Sequence, residues 1–292
     1  MDYEIGGHHV RVLSEYGNDS FDKLLPSFSN FIISEKEDST PMLTVSLLQK
    51  LPTFPEKECR HITDSDTGNG IIRVSRTTDG SYQFIICNVA GKPCALLQST
   101  ATFEQCRCAI RGNEADKRYG MNSVMMIAYA FRGALCDTLL IHASVVRHKE
   151  KAYAFTAVSG TGKSTQVSNW LNNIEGCDLI NDDNPIVRIH NGNVMLYGSP
   201  WSGKTACYRN IRVPLGAIIK IERATTNYVT PLTPLDAFVV LLTACSTIRT
   251  DELIYKNLGD VVTAVIEHTT MATLHCLPNA ESAMVCRKYL EE

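Results

Sequence analysis

The stretch from Ala152 to Leu171 constrains this chain more than any other. An apolar run, Ala152-Tyr153-Ala154-Phe155-Thr156-Ala157-Val158, enters Ser159-Gly160-Thr161-Gly162-Lys163-Ser164-Thr165 directly, and a helix is expected from near Lys163 to about Leu171. A strand, a glycine loop and a helix in that order commit the region to an α/β unit. Glycines let consecutive backbone N–H groups turn inward around an anion, and the helix start adds its own unpaired donors and dipole. A lysine in the first helical turn opposes that dipole, so it calls for an anion beside it. The usual phosphate loop reads Gly, four residues, Gly-Lys, then Ser or Thr. Ala157 stands at the first glycine position here, and Gly162, Lys163 and Ser164 fill the rest. Residues Ser159, Gly160, Thr161, Gly162, Lys163, Ser164 and Thr165 are therefore expected to cradle nucleotide phosphates. ATP is the expected nucleotide, with Lys163 at the outer phosphates and the Ser164 hydroxyl on Mg2+.

A second feature follows at short range. Asp178-Leu179-Ile180 reads as a strand that ends at Asn181-Asp182-Asp183. Adjacent carboxylates repel each other and are best tolerated beside a cation or a proton. Mg2+ is hard and takes carboxylate oxygens, so Asp182 is expected as a metal ligand together with Ser164. The neighbouring carboxylate, Asp183, is then available to accept a proton. Asn-Asp-Asp-Asn-Pro is also ordinary turn chemistry, and it gains a functional meaning only from the glycine loop before it.

The remainder of the chain frames these motifs. Residues 1–115 read as short strands and turns, with β-rich segments at Val10–Leu13, Met42–Val45, Ile71–Val74 and Tyr82–Cys87, and a hairpin at Asp79-Gly80. A helix is expected from about Asn122 to Leu135, then one strand from Thr138 to Val146. Beyond the aspartates come a hairpin around Asn191-Gly192-Asn193, a strand at Ala217–Ile221, helices near 234–245 and 251–267, a strand at Thr273–Cys276 and a closing helix from Asn279. The expected domains are thus a β-rich part over 1–115, of unknown role, and a nucleotide-binding part over 116–292. A net charge of −3 gives no electrostatic case for nucleic acid. The start of the chain lacks the basic and apolar run of a signal peptide, and no stretch is long enough for a membrane span. Eleven cysteines without a Cys-x-x-Cys pair read as reduced thiols, several in apolar runs such as Cys87, Cys136 and Cys245. Together these readings point to a cytoplasmic protein.

The loop Ser159–Thr165 followed closely by Asp182-Asp183 resembles the kinase region of ATP-dependent phosphoenolpyruvate carboxykinases. Ile141-His142-Ala143-Ser144 ahead of the loop is similar to the HPr kinase/phosphorylase branch of that fold. The resemblance spans roughly Leu139 to Arg223. It implies an α/β fold, a phosphoenolpyruvate carboxykinase-like P-loop kinase core with a mixed sheet, preceded by the smaller β-rich region. It implies Lys163 and Ser164 at the phosphates and metal, Asp182 and Asp183 as metal ligand and general base, and His142 tuning the base. A strand histidine also suits a purely structural position. The acidic residue that follows the Lys-Ser pair in many HPr kinases is Thr165 here, and the stretch that accompanies phosphorylase activity is missing. The chain is too short for a full carboxykinase.

Gly198-Ser199-Pro200-Trp201-Ser202-Gly203-Lys204 adds Lys204 as a cation for the transferring phosphoryl, with Trp201 packing against substrate or base. Arg209, Arg212 and Arg223 are further cation candidates, and His8 and His9 read as exposed N-terminal residues. The expected activity is ATP- and Mg2+-dependent transfer of the γ-phosphoryl to a hydroxyl, on a serine of a peptide or protein. The alternatives are a nucleotide-binding regulatory protein with little turnover, and a kinase of a small metabolite such as free serine.

Overall fold

A nine-stranded sheet occupies most of the first half of the chain. The computed structural model describes residues 1–17, 20–34, 39–158, 160–247 and 251–292. The sheet contains β1 (Asp2–Ile5), β2 (His8–Ser14), β3 (Ile32–Ile33), β4 (Leu43–Leu47), β5 (Cys59–Asp66), β6 (Ile71–Thr77), β7 (Tyr82–Cys87), β8 (Pro93–Ser99) and β9 (Gln105–Ile110), in the order β3-β1-β2-β4-β9-β8-β7-β6-β5. The β2–β4 and β4–β9 pairs are parallel and the others antiparallel, so the sheet is mixed. Asp79-Gly80 lies in the turn of the β6–β7 hairpin, as the sequence indicates. A short helix α1 (Ser20–Leu24) precedes α2 (Glu114–Ala134).

Helix α2 covers this sheet with Met121, Val124, Met125, Ala128 and Phe131, all buried at helical spacing. Phe131 closes an aromatic cluster with Phe84 and Phe103, at centroid separations of 5.6 and 4.9 Å. The helix starts at Glu114, earlier than the expected Asn122. Asn113 caps it by accepting from the Asp116 N–H, while the Asp116 carboxylate accepts from the Asn113 N–H. That first turn is polar, so apolar spacing alone does not register it. Because α2 packs on this sheet, the first compact unit comprises Met1–Leu135 with Thr247–Glu252.

The second unit comprises Cys136–Ser246 and Leu253–Glu292. Its elements are β10 (Thr138–Leu140), β11 (Ala143–His148), β12 (Lys151–Thr156), α3 (Lys163–Asn173), β13 (Asp178–Asp183), β14 (Ile186–His190), β15 (Asn193–Tyr197), β16 (Arg212–Arg223), β17 (Tyr228–Pro231), α4 (Pro234–Ala244), α5 (Glu252–Glu267), β18 (Thr270–Cys276) and α6 (Ala280–Glu291). The strands run in the order β10-β14-β15-β16-β12-β11-β13, and β18 pairs with both β16 and β17. The protein is therefore a mixed α/β chain with two mixed sheets. Strand β12 lies parallel to β16 and antiparallel to β11. Phe155, Ile219, Ile221 and Leu274 form the buried face against Val167 and Trp170 of α3 and Ala283 and Cys286 of α6. That packing fixes where α3 begins relative to the strand ends.

The single strand expected from Thr138 to Val146 is two. Strand β10 pairs with β14, whereas β11 pairs with β12 and β13. The break falls at Ile141-His142, where Ile141 bridges Cys245 and the His142 N–H donates to the Ala244 carbonyl at 2.7 Å. A tertiary partner takes the backbone groups that a continuous ladder would have used. The eleven cysteines are thiols outside any disulfide; Cys87 and Cys245 are buried and Cys136 is partly so. No helix among the described residues is long and apolar enough to cross a membrane.

Candidate active site

Between Thr156 and Lys163 the chain turns on Gly160, with φ +79°, and Gly162, with φ +132°. Side chains other than glycine rarely adopt either value. Gly162 is the N-cap of α3 and supplies no side-chain acceptor to the first turn. Nothing lies within 4 Å of where a Cβ would stand on either glycine. The start of α3 thus has room beside its first-turn N–H groups, as an anion site requires. Ser159 lies outside the described residues. Arg223, at the end of β16, donates to the Gly160 carbonyl at 2.8 Å and the Thr161 carbonyl at 3.3 Å, so it steadies the loop from outside.

Lys163 Nζ stands 2.7 Å from His142 Nε2 and 3.5 Å from the Ala157 carbonyl. An ammonium only donates, so Nε2 accepts and the ring proton resides on Nδ1. That nitrogen is 3.0 Å from Asp183 Oδ1. Lys163, His142 and Asp183 therefore form one hydrogen-bonded chain. Burial pushes the Lys163 pKa below its ordinary value, against the opposing pull of Asp183 and Asp182. The backbone holds His142 on both sides, since its carbonyl accepts from Thr156 Oγ1 at 3.2 Å and its N–H is taken by Ala244.

Asp182 is buried and reads the opposite side of the site. Its Oδ1 accepts from Ser144 Oγ at 2.7 Å and lies 3.5 Å from Ser164 Oγ, while Oδ2 accepts from the Thr205 N–H at 3.1 Å. A hydroxyl and a carboxylate side by side are hard oxygen donors that suit Mg2+, a cation that keeps waters and takes its remaining oxygens from phosphate. Among the described residues no cluster of three or more His, Cys, Asp or Glu could hold a metal. A cation between Ser164 and Asp182 would therefore depend on ligand oxygens.

Asp183 adopts φ +152°, a strained value for a residue with a side chain. Its strand position bridges Ser202, and Asn184 Nδ2 donates to its Oδ2 at 2.7 Å. The neighbouring loop comes very close. A Cβ on Gly203 would stand 2.7 Å from the Asp182 carbonyl and 3.2 Å from the Asp183 Cβ. Gly203 therefore matters for close approach. Lys204 is exposed between Gly203 and Thr205, both of whose N–H groups bond Asp182. Thr165, next to Ser164, is exposed in the first turn of α3.

Other candidates resolve differently. Trp201 is buried, 3% exposed, which removes it as a surface for substrate or base. Arg209 donates to Asp178 Oδ2 at 2.6 Å, at the far end of β13 from the paired aspartates. Arg212 is exposed at the start of β16. His9 is partly buried and bonds Asp2 and Ser39, and His8 is buried, so neither is a free surface histidine. Sequence reasoning passed over Ser144 and the Thr205 N–H. Ser144 faces Asp182 only because β11 pairs with β13 in that register, and the Thr205 contact is a backbone group with no sequence signature.

No family model matches the chain, and no curated protein matches it in sequence. Among solved structures, the Hpr(Ser) kinase/phosphatase from Coxiella burnetii aligns with 51% of this chain and 95% of its own, at 13% identity and a TM-score of 0.30. That is a distant likeness. The functional reading rests on the site itself: a helix start with room beside it, a lysine there, a hydroxyl next to a carboxylate, and a second carboxylate hydrogen-bonded to a histidine.

Proposed function

We propose that this chain is an ATP- and Mg2+-dependent phosphotransferase with a phosphoenolpyruvate carboxykinase-like P-loop core. It moves the γ-phosphoryl to a hydroxyl, in the manner of an HPr-kinase-like serine kinase acting on a peptide or protein. The observation that carries the reading is the Lys163–His142–Asp183 chain beside the Ser164–Asp182 pair, all at the start of α3. Phosphate binding alone requires the loop and the lysine; an oriented carboxylate adds a base.

In this reading the loop N–H groups and Lys163 hold the phosphates and offset charge on their oxygens. Ser164 and Asp182 would hold the metal, which would supply positive charge to offset that of the phosphates. Asp183 accepts the acceptor's hydroxyl proton as that oxygen bonds to phosphorus and the bond to the bridging oxygen breaks, leaving ADP. His142 orients Asp183 through Nδ1 and meets Lys163 through Nε2. All of these residues fall in the expected nucleotide-binding part, 116–292.

The test is transfer of labelled phosphate from ATP to a panel of serine-containing peptides and free serine, with and without Mg2+. A phosphoserine product that requires Mg2+ and vanishes in Lys163→Ala and Asp183→Asn is expected. ATP binding with no phosphorylated product on any acceptor would instead make the chain a nucleotide-binding regulator.

A further inference from the structure

We infer that Arg223 is a positioning residue for the nucleotide phosphates, acting through the glycine loop that it holds; this rests on the phosphate site proposed above. Its place follows from strand register. Strand β16 pairs in parallel with β12 as far as Thr156 and Lys220, then runs on through Ile221, Glu222 and Arg223. That overhang carries Arg223 roughly 10 Å past the point where the chain leaves β12 for the loop. It is braced from the other side, where Arg223 pairs with Cys276 of β18 and the Ala224 N–H donates to the Cys276 carbonyl at 3.1 Å. Alternation along the strand puts Arg223 on the face of Ile219 and Ile221, which pack against α3. Glu222 takes the opposite face, where it pairs with Lys220 and His275.

The guanidinium donates to the Gly160 carbonyl at 2.8 Å and to the Thr161 carbonyl at 3.3 Å, so one planar fork spans two consecutive peptide units. A trans peptide sets its C=O and N–H on opposite sides. Fixing the Thr161 carbonyl on Arg223 therefore turns the Gly162 N–H away from it, at the residue that caps α3. The preceding unit is fixed twice, because the Thr161 N–H also donates to the Val158 carbonyl at 3.1 Å. A carbonyl bonded to a cation polarises its own peptide, which makes the N–H of that unit a stronger donor. Gly160 and Gly162 leave this backbone free to rotate unless it is held, and ordering it at the moment of binding costs phosphate affinity. Arg223 thus pre-orders the loop from a braced strand end without touching the ligand.

Calorimetry with Mg-ATP and with Mg-tripolyphosphate tests this. In Arg223→Ala the Kd for both ligands is expected to rise on the order of tenfold, since the loop loses a charge-assisted pair of hydrogen bonds. Arg223→Lys keeps the charge but not the fork, so its Kd should stay clearly above that of the unaltered chain. In phosphotransfer the alanine variant should raise the KM for ATP by a similar factor and leave kcat within about twofold. The side chain is exposed, so the melting temperatures of the three proteins should match. An unchanged Kd in the alanine variant, a loss confined to ATP, full recovery with lysine, or a loss explained by a lowered melting temperature overturns the positioning role and leaves the phosphate site standing. If the unaltered chain binds neither ligand, the phosphate site falls and this inference with it.

Discussion

The two ends of β13 carry the same residue type for different purposes. At one end, Asp178 receives a two-pronged hydrogen bond from Arg147, at 2.9 and 2.8 Å, and another from Arg209 at 2.6 Å. Burial alone would raise its carboxyl, but these guanidinium hydrogen bonds outweigh it and hold the pKa below the usual range. At the other end, Asp182 meets two hydroxyls and an amide N–H, and Asp183 meets a histidine and an amide. The first arrangement cancels a charge within the fold. The second orients both carboxylates with hydroxyl, amide and imidazole groups, the arrangement that the proposed function uses for a metal and a proton. The contrast shows that a carboxylate's role follows from its partners.

Substitutions can break this comparison in decreasing order of effect. Asp183→Asn should lower phosphotransfer by roughly 10²- to 10⁴-fold, the usual worth of a general base, with ATP affinity nearly unchanged. Steady-state kinetics with ATP and acceptor varied separately would read this, and an unchanged kcat would remove Asp183 from the chemistry. Gly203→Ala comes next, because the added methyl meets a backbone carbonyl that has no free end to swing aside. Overpacking of this kind costs about 1–3 kcal/mol, and here it should also push the loop off the aspartates, so activity falls even in the fraction that remains folded. Wild-type activity in that variant would mean the loop approach is incidental.

Ser144→Ala should raise the Mg2+ concentration for half-maximal activity by about 10-fold or more, since Asp182 loses the hydroxyl that orients it. Activity at saturating Mg2+ should largely recover; failure to recover would assign Ser144 to something other than metal binding. The smallest effect belongs to the opposite end of the strand. Asp178→Asn should leave the Mg2+ requirement alone and cost at most about 1 kcal/mol, because the pair is partly exposed to solvent. Its signature is in acid. A carboxyl lowered by folding contributes fully above its unfolded pKa of about 3.9 and loses that contribution as pH falls through the folded value. Thermal melts below pH 5 should therefore show a shallower fall for the variant than for the unaltered chain; identical slopes would show that the arginines do not act through this charge.

Much of the second unit was legible in advance. The glycine loop, the helix after it, the hairpin β14–β15 and the strand leading to the aspartates follow from local patterns of turn residues and apolar spacing. Several elements of the first unit, β1, β5, β8 and β9 among them, gave no clear signal. Strands such as β5, with exposed polar side chains at most positions, lack the alternation that marks a half-buried strand. The start of α2 was hidden for a similar reason, its first turn being polar and fixed by a cap.

The chain by itself determined which chemical groups are available: loop glycines, a lysine at a helix start, a hydroxyl beside it, and adjacent carboxylates. These are local, because backbone freedom, helix capping and charge repulsion act between near neighbours in sequence. Tertiary structure alone decided their pairing. The broken strand at His142 brings its ring between Lys163 and Asp183, the β11–β13 register sets Ser144 on Asp182, and Gly203 lets a distant loop close on both aspartates. Hydrogen bonds across strands depend on register and on which backbone groups another element has already taken, and neither is encoded within any single segment.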